Sequence, residues 1–142
     1  APLNHLIQEV IAVAPNTRCF RDPTRGGLAS TLNELAEQSQ VDFVIEEAAI
    51  PVKDAVRGAC EMLGYDIFQV ANEGKMVCVV AADEAEAALA AMKANKYGVD
   101  AAIIGEVAEK PEGRDSRVSL RTGFGSLRIM DMLVGEQLPR IC

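Results

Sequence analysis

At 142 residues, with 49% hydrophobic but only 4% aromatic residues and no Trp, the chain is sized for one domain with an aliphatic core of Val, Ile, Leu, Ala and Met. Its formal net charge of −7 argues against a nucleic-acid surface and an anionic membrane, both of which reward clustered Lys and Arg. No apolar run approaches the length of a membrane span and no charged-then-apolar leader opens the sequence, so a soluble protein is expected.

Leu3, Leu6, Ile7, Val10, Ile11 and Ala14 recur at helical spacing, and Pro15-Asn16 ends that first helix. Opening on a helix without a first strand suggests one domain of a longer protein. Thr17 to Arg21 reads as a short extended segment, and Asp22-Pro23-Thr24-Arg25-Gly26-Gly27 turns into a second helix with Leu28, Leu32, Leu35 and Ala36 on one face. Val41 to Glu46 is strand-like. After Ile50-Pro51 a third helix is expected, with Val52, Val56, Cys60 and Leu63 inward and Gly64 as its stop. Ile67–Ala71 and Met76–Ala82 read as two extended runs joined by a turn at Asn72-Glu73-Gly74-Lys75. Asp83 is placed to cap an alanine-rich helix that uses Leu89 and Met92 for contact. Ala101 to Val107 reads as a strand with Gly105 at a bulge or close approach. Val118–Arg121 and Leu127–Met130 form a hairpin around Gly123 and Gly125. Helices intermixed with strands call for a mixed β-sheet covered by α-helices, an α+β or α/β sandwich.

The cysteines are Cys19, Cys60, Cys78 and Cys142, and His5 is the lone histidine, so zinc has too few well-spaced ligands. Cys60 and Cys78 lie among apolar residues and are expected to be buried, with Cys19 half-buried beside Phe20. Such cysteine use fits a reducing cytoplasm. Cys142 is not accounted for by packing. It ends a polar stretch, Gly135 to Cys142, that Pro139 stiffens. Extended at about 3.3 Å per residue, this stretch could span roughly 25 Å. Residues 1–134 are therefore read as the folded domain and 135–142 as a flexible tail. Either the tail carries a group on sulfur between sites, or it is a frayed end with an incidental thiol.

Two internal loops are candidates for chemistry. In the first, Gly26 and Gly27 keep Cβ atoms away from a ligand, Thr24 can cap the helix, and Arg25 joins the positive end of the helix dipole. Those features suit a phosphate, and they also suit an ordinary capped helix start. In the second, Asn72-Glu73-Gly74-Lys75, residue types alone favour a plain turn, while a carboxylate held on such a turn could abstract a proton.

With Asp22-Pro23-Thr24-Arg25-Gly26-Gly27-Leu28, Asn72-Glu73-Gly74-Lys75 and Pro139-Arg140-Ile141-Cys142 side by side, the chain resembles the C-terminal domain of the carbamoyl dehydratases of hydrogenase maturation. These belong to the superfamily of aminoimidazole ribonucleotide synthetase and selenophosphate synthetase. The first motif is typical of the whole superfamily; the P-R-I-C ending is specific to the maturation family. The resemblance covers essentially the whole chain and implies an α+β fold preceded by an N-terminal domain that dimerises and supplies much of the site for ATP and Mg2+.

The resemblance further implies that a partner carbamoyltransferase places a carboxamide on Cys142. The tail would bring it to ATP, and dehydration would leave a thiocyanate whose cyanide passes to iron on a scaffold complex for a nickel–iron hydrogenase. By similarity Glu73 assists deprotonation, and Asp22, Thr24, Arg25, Gly26 and Gly27 line this domain's side of the nucleotide cleft. The alternatives are a superfamily synthetase that phosphorylates a free small molecule, and a non-catalytic docking domain.

Overall fold

The computed structural model describes residues 2–132; Cys142, the 134/135 boundary and the rest of the expected tail lie outside the described residues. The fold is a mixed sheet with helices, and the chain divides into two compact units. One comprises Ala1–Asp22 and Glu73–Ile103, the other Pro23–Asn72 and the chain from Ile104.

The first unit is built on two helices and two short strands. Helix α1 (Asn4–Val13) buries Leu6 and Val10, with Ala14 just beyond its end, a four-residue spacing that stacks these side chains on one face. They pack with Ala88 of α4 (Ala85–Ala94), and Phe20, Met76, Cys78, Val80 and Met92 close around them. Strand β1 (Cys19–Arg21) pairs antiparallel with β3 (Val77–Val79), Phe20 opposite Cys78 and Arg21 opposite Val77. Gly98 lets the chain pass α4, since a Cβ there would lie 2.1 Å from the Met92 carbonyl oxygen. Asp83 does not cap α4: it sits in a 3-10 turn (Ala82–Glu84), and the N-cap is Glu84 without a side-chain cap. The Glu84 carboxylate instead accepts from the Asn16 backbone N–H at 2.9 Å and from its Nδ2 at 2.7 Å.

The second unit carries α2 (Gly27–Ser39), β2 (Val41–Glu46), α3 (Asp54–Leu63), β4 (Gly105–Glu109), β5 (Val118–Arg121) and β6 (Leu127–Ile129). Its sheet runs β4-β2-β5-β6, with β2 and β5 parallel and the other pairs antiparallel. Helix α2 lies against β2, β5 and a 3-10 turn at Ile67–Gln69. Ala29, Leu32, Ala36, Phe43, Ile45, Phe68, Val118, Leu120 and Met130 are buried. Gly105 is the expected close approach: a Cβ would lie 2.2 Å from the Val44 carbonyl oxygen of the neighbouring strand. The β5–β6 hairpin also forms as expected, with Gly125 at φ 81° and its N–H donating to Thr122 O at 2.8 Å.

Asp42, 9% exposed on β2, is held by both terminal guanidinium nitrogens of Arg114 and by the Arg117 backbone N–H at 2.9 Å. The hydrogen bond from Arg114 holds the Asp42 carboxyl below its ordinary value, outweighing the opposing effect of burial.

Three expectations about this part of the chain fail. Ile67–Ala71 is not a strand: Asp66 Oδ1 accepts the Phe68 N–H at 2.9 Å, winding Ile67–Gln69 into the 3-10 turn. Asn72–Lys75 is accordingly no hairpin turn, because β3 pairs with β1. Helix α3 ends at Gly64 as expected, with φ 69°, but of its apolar face only Cys60 is buried, while Val56 and Leu63 are 44% and 63% exposed. Among the described residues α3 packs against the short turn at Ile67–Gln69, which is too small to cover a three-turn stripe.

Candidate functional site

The loop that opens α2 is shaped by two consecutive left-handed residues, Gly26 at φ 67° and Gly27 at φ 60°. L-residues with a Cβ resist that conformation, and the loop closes on itself where the Gly27 N–H donates to Thr24 O at 3.4 Å. Thr24 does not cap the helix. Gly26 is the N-cap, no side chain caps it, and the first turn holds no acidic residue. The start of α2 therefore presents its backbone donors and the positive end of a 13-residue helix without a protein carboxylate in place. Arg25 is exposed and makes no ion pair among the described residues. This arrangement fits a phosphate group.

Gly27 is fixed by more than its dihedral angle. A Cβ on it would lie 2.5 Å from the Val70 carbonyl oxygen and 2.6 Å from that of Phe68, so the helix start is pressed onto the backbone of residues 68–70. Asn72 completes this strap. Its N–H donates to Pro23 O at 3.0 Å, and its Nδ2 donates to Val70 O at 2.8 Å. Asn72 thus joins two motifs far apart in sequence. The sequence marked Asn72 only as part of the Asn72–Lys75 motif and as a turn residue; its bracing contacts depend on which backbone carbonyls come near it.

The first unit carries the other two described candidates. Arg21 opposite Val77 is the last pair of the β1–β3 ladder, so Asp22, which follows Arg21, and Glu73, four residues before Val77, belong to the segments running out of the same end of that ladder. Both are exposed. Cys142 lies outside the described residues. Among the described residues no cluster of three or more His, Cys, Asp or Glu could hold a metal ion. No helix among them is long and apolar enough to cross a membrane.

Cys60 is buried in the second unit, and Cys78 lies against the core of the first. Burial, reinforced by nearby Cys19, pushes the Cys78 thiol up to about 11, which keeps it protonated and unreactive. A separate cleft of about 300 Å³ in the second unit is lined in part by Arg57, Cys60, Tyr65, Phe68 and Arg128, and by none of the candidate residues.

The chain is similar over its full 142 residues to the carbamoyl dehydratase HypE of Cupriavidus necator, at 54% identity and covering 40% of that protein. It is 52% identical over 142 residues to the carbamoyl dehydratase HypE of Rhodobacter capsulatus, covering 41% of it. It thus spans about two-fifths of the length of these relatives. Among solved structures, the hydrogenase maturation protein HypE superposes with a TM-score of 0.93 at 43% identity, over 100% of this chain and 45% of that one. A HypE complex with ATP gives 0.90 at 43%, covering 98% and 42%, and a HypE–HypF complex gives 0.87 at 44%, covering 94% and 42%. The model of the AIR synthase related protein, C-terminal domain, matches residues 1–116, and the chain belongs to that family.

Proposed function

We propose that this chain is the C-terminal part of an ATP-dependent carbamoyl dehydratase of hydrogenase maturation, and that Cys142 carries the reacting group. One observation carries the reading: all 142 residues match, at 54% identity, a protein named for that activity. The P-R-I-C ending and the uncapped Gly26-Gly27 helix start support it.

In this reading a carbamoyltransferase places a carboxamide on the Cys142 sulfur; the similarity to a HypE–HypF complex supports such a partner. Dehydration converts –S–C(=O)NH2 to –S–C≡N, so one oxygen and both N–H protons must leave. ATP supplies the phosphoryl group that turns the amide oxygen into a leaving group. The residues of this chain bind and move protons. Backbone N–H groups in the first turn of α2, after Gly26-Gly27, with Thr24 and Arg25, hold phosphate oxygens. Asp22 lines the same side of the nucleotide, and Glu73 accepts one proton from the amide nitrogen as the triple bond forms, the other leaving with the departing phosphate. Mg2+ would be held by residues outside this chain, and no step is assigned to it. The full-length protein acts as a homodimer in the cytoplasm and passes cyanide to iron on a scaffold complex; this chain alone does not complete the reaction.

The test is mass spectrometry of the C-terminal peptide after full-length protein is incubated with the carbamoyltransferase, carbamoyl phosphate and ATP. A carboxamide adduct followed by loss of water is expected. An adduct that survives Cys142→Ala refutes the carrier role.

A further inference from the structure

We propose that Asn72 is a positioning residue for the Thr24–Gly27 loop: its carboxamide holds the carbonyl on which the start of α2 rests, and so aims the N–H groups that α2 offers to an anion. The proposal rests on the reading of that loop as the phosphate-binding element.

The geometry lies within one compact unit. Asn72 grips both ends of the loop. Its backbone N–H takes the carbonyl of Pro23, where the loop begins, at 3.0 Å. Its Nδ2 takes the carbonyl of Val70 at 2.8 Å, and that oxygen lies 2.5 Å from where Gly27, at the loop's end, would carry a Cβ. With no side chain on Gly27 to set the spacing, the direction of the Val70 carbonyl decides how closely and at what angle α2 begins. Ala71, between the two, is exposed and has no side chain able to hold that peptide. The Asn72 amide therefore restrains the Val70–Ala71 peptide against rotation. Donors held in place before a ligand arrives bind it better than donors that must be ordered on arrival.

A purely structural role would look different. Of the strap only Phe68 is buried, and it lies on the other side of Val70 from Asn72. Loss of the Asn72 side chain removes no core packing, so it should weaken anion binding more than it weakens the fold.

The experiment uses full-length protein with ATP as the probe and compares Asn72→Ala, Asn72→Asp and Asn72→Ser. Aspartate keeps the shape but cannot donate to a carbonyl when ionised, whereas serine keeps a short donor. ATP affinity measured by calorimetry should fall between about threefold and tenfold in the alanine variant, the span of one ordinary hydrogen bond. It should fall further in the aspartate variant and stay nearest wild type in the serine variant. The Tm without nucleotide should hold within about 2 °C, and the carbamoyltransferase should still load Cys142. Affinity within twofold of wild type in both the alanine and aspartate variants overturns the proposal. Where those two variants lower Tm, the serine variant decides: near-wild-type affinity supports the proposal, and a loss equal to that of alanine overturns it. Wild-type protein that ignores ATP, or an Arg25→Ala variant that binds it unchanged, would refute the loop reading itself. ATP binding lost in Arg25→Ala but kept in Asn72→Asp sinks the role of Asn72 alone.

Discussion

The carbonyl oxygen of Val70 lies 2.5 Å from the point where Gly27 would carry a Cβ, so the start of α2 and the strap after α3 are spaced by the absence of one side chain. Gly27→Ala must move backbone on both sides and also place an L-residue at φ 60°. The left-handed conformation alone costs about 1–2 kcal/mol, and the clash adds to it. Gly26→Ala carries the same backbone strain, but its Cβ meets only the Ser30 side chain: Oγ at 2.0 Å can rotate away, leaving Cβ at 2.7 Å to be relieved by a small shift, whereas Gly27 faces three backbone atoms under 3 Å. Urea denaturation should rank Gly27→Ala as the more damaging. Gly58, inside α3 with nothing within 4 Å of the methyl an alanine would add, is the control: Gly58→Ala should stabilise by about 0.5–1 kcal/mol.

Asp42 gives the fold an acid-sensitive fastening. Its carboxyl is held below the ordinary value of 3.8 by the Arg114 guanidinium. A depressed carboxylate contributes stability that is fully present above its unfolded pKa and is lost as pH falls through the folded one. Stability should therefore decline as pH drops below about 4, and Asp42→Asn should flatten that decline while lowering stability at neutral pH. An unchanged acid limb in the variant would assign the decline to other carboxylates. Denaturant midpoints measured from the acid limb up to neutral pH make the comparison.

Cys78 has the opposite sign. Burial raises its thiol from 9.0 to about 11, so an unfolded chain ionises it first as pH rises. The contribution is intact below about pH 9 and lost between there and pH 11. Cys78→Ser should show a shallower alkaline decline. In native protein at about pH 8, iodoacetamide should label Cys78 far more slowly than in urea, as read by peptide mass.

For Glu73 the expected outcome is a separation of steps. Full-length Glu73→Gln should accept the carboxamide on Cys142 at the normal rate but lose water from it at least about 100-fold more slowly, the usual scale for removing a general base. The two masses differ by one water, so a single time course reads both steps. Dehydration at the wild-type rate would remove Glu73 from the mechanism.

The sequence by itself determined the elements whose causes are local. Helical spacing of Leu6 and Val10, the stop at Gly64, the glycine-bearing turn before β6 and the close approach at Gly105 all follow from residue type and period, and each is present. The three motifs that carry the family resemblance were equally visible as short strings. What only the tertiary structure decided depends on partners distant in the chain. The apolar run at Ile67–Ala71 had the composition of a strand, but strand pairing needs a neighbour, and β1 took β3 instead. Helix α3 had an apolar stripe, but burial requires a covering surface and only Cys60 found one. Asn72 looked like a turn residue; two carbonyls, of Pro23 and Val70, made it the brace of a loop that begins far earlier in the chain, at Pro23. Periodicity and turn chemistry are written in neighbouring residues, whereas a hydrogen bond between remote backbone groups exists only once the chain has folded.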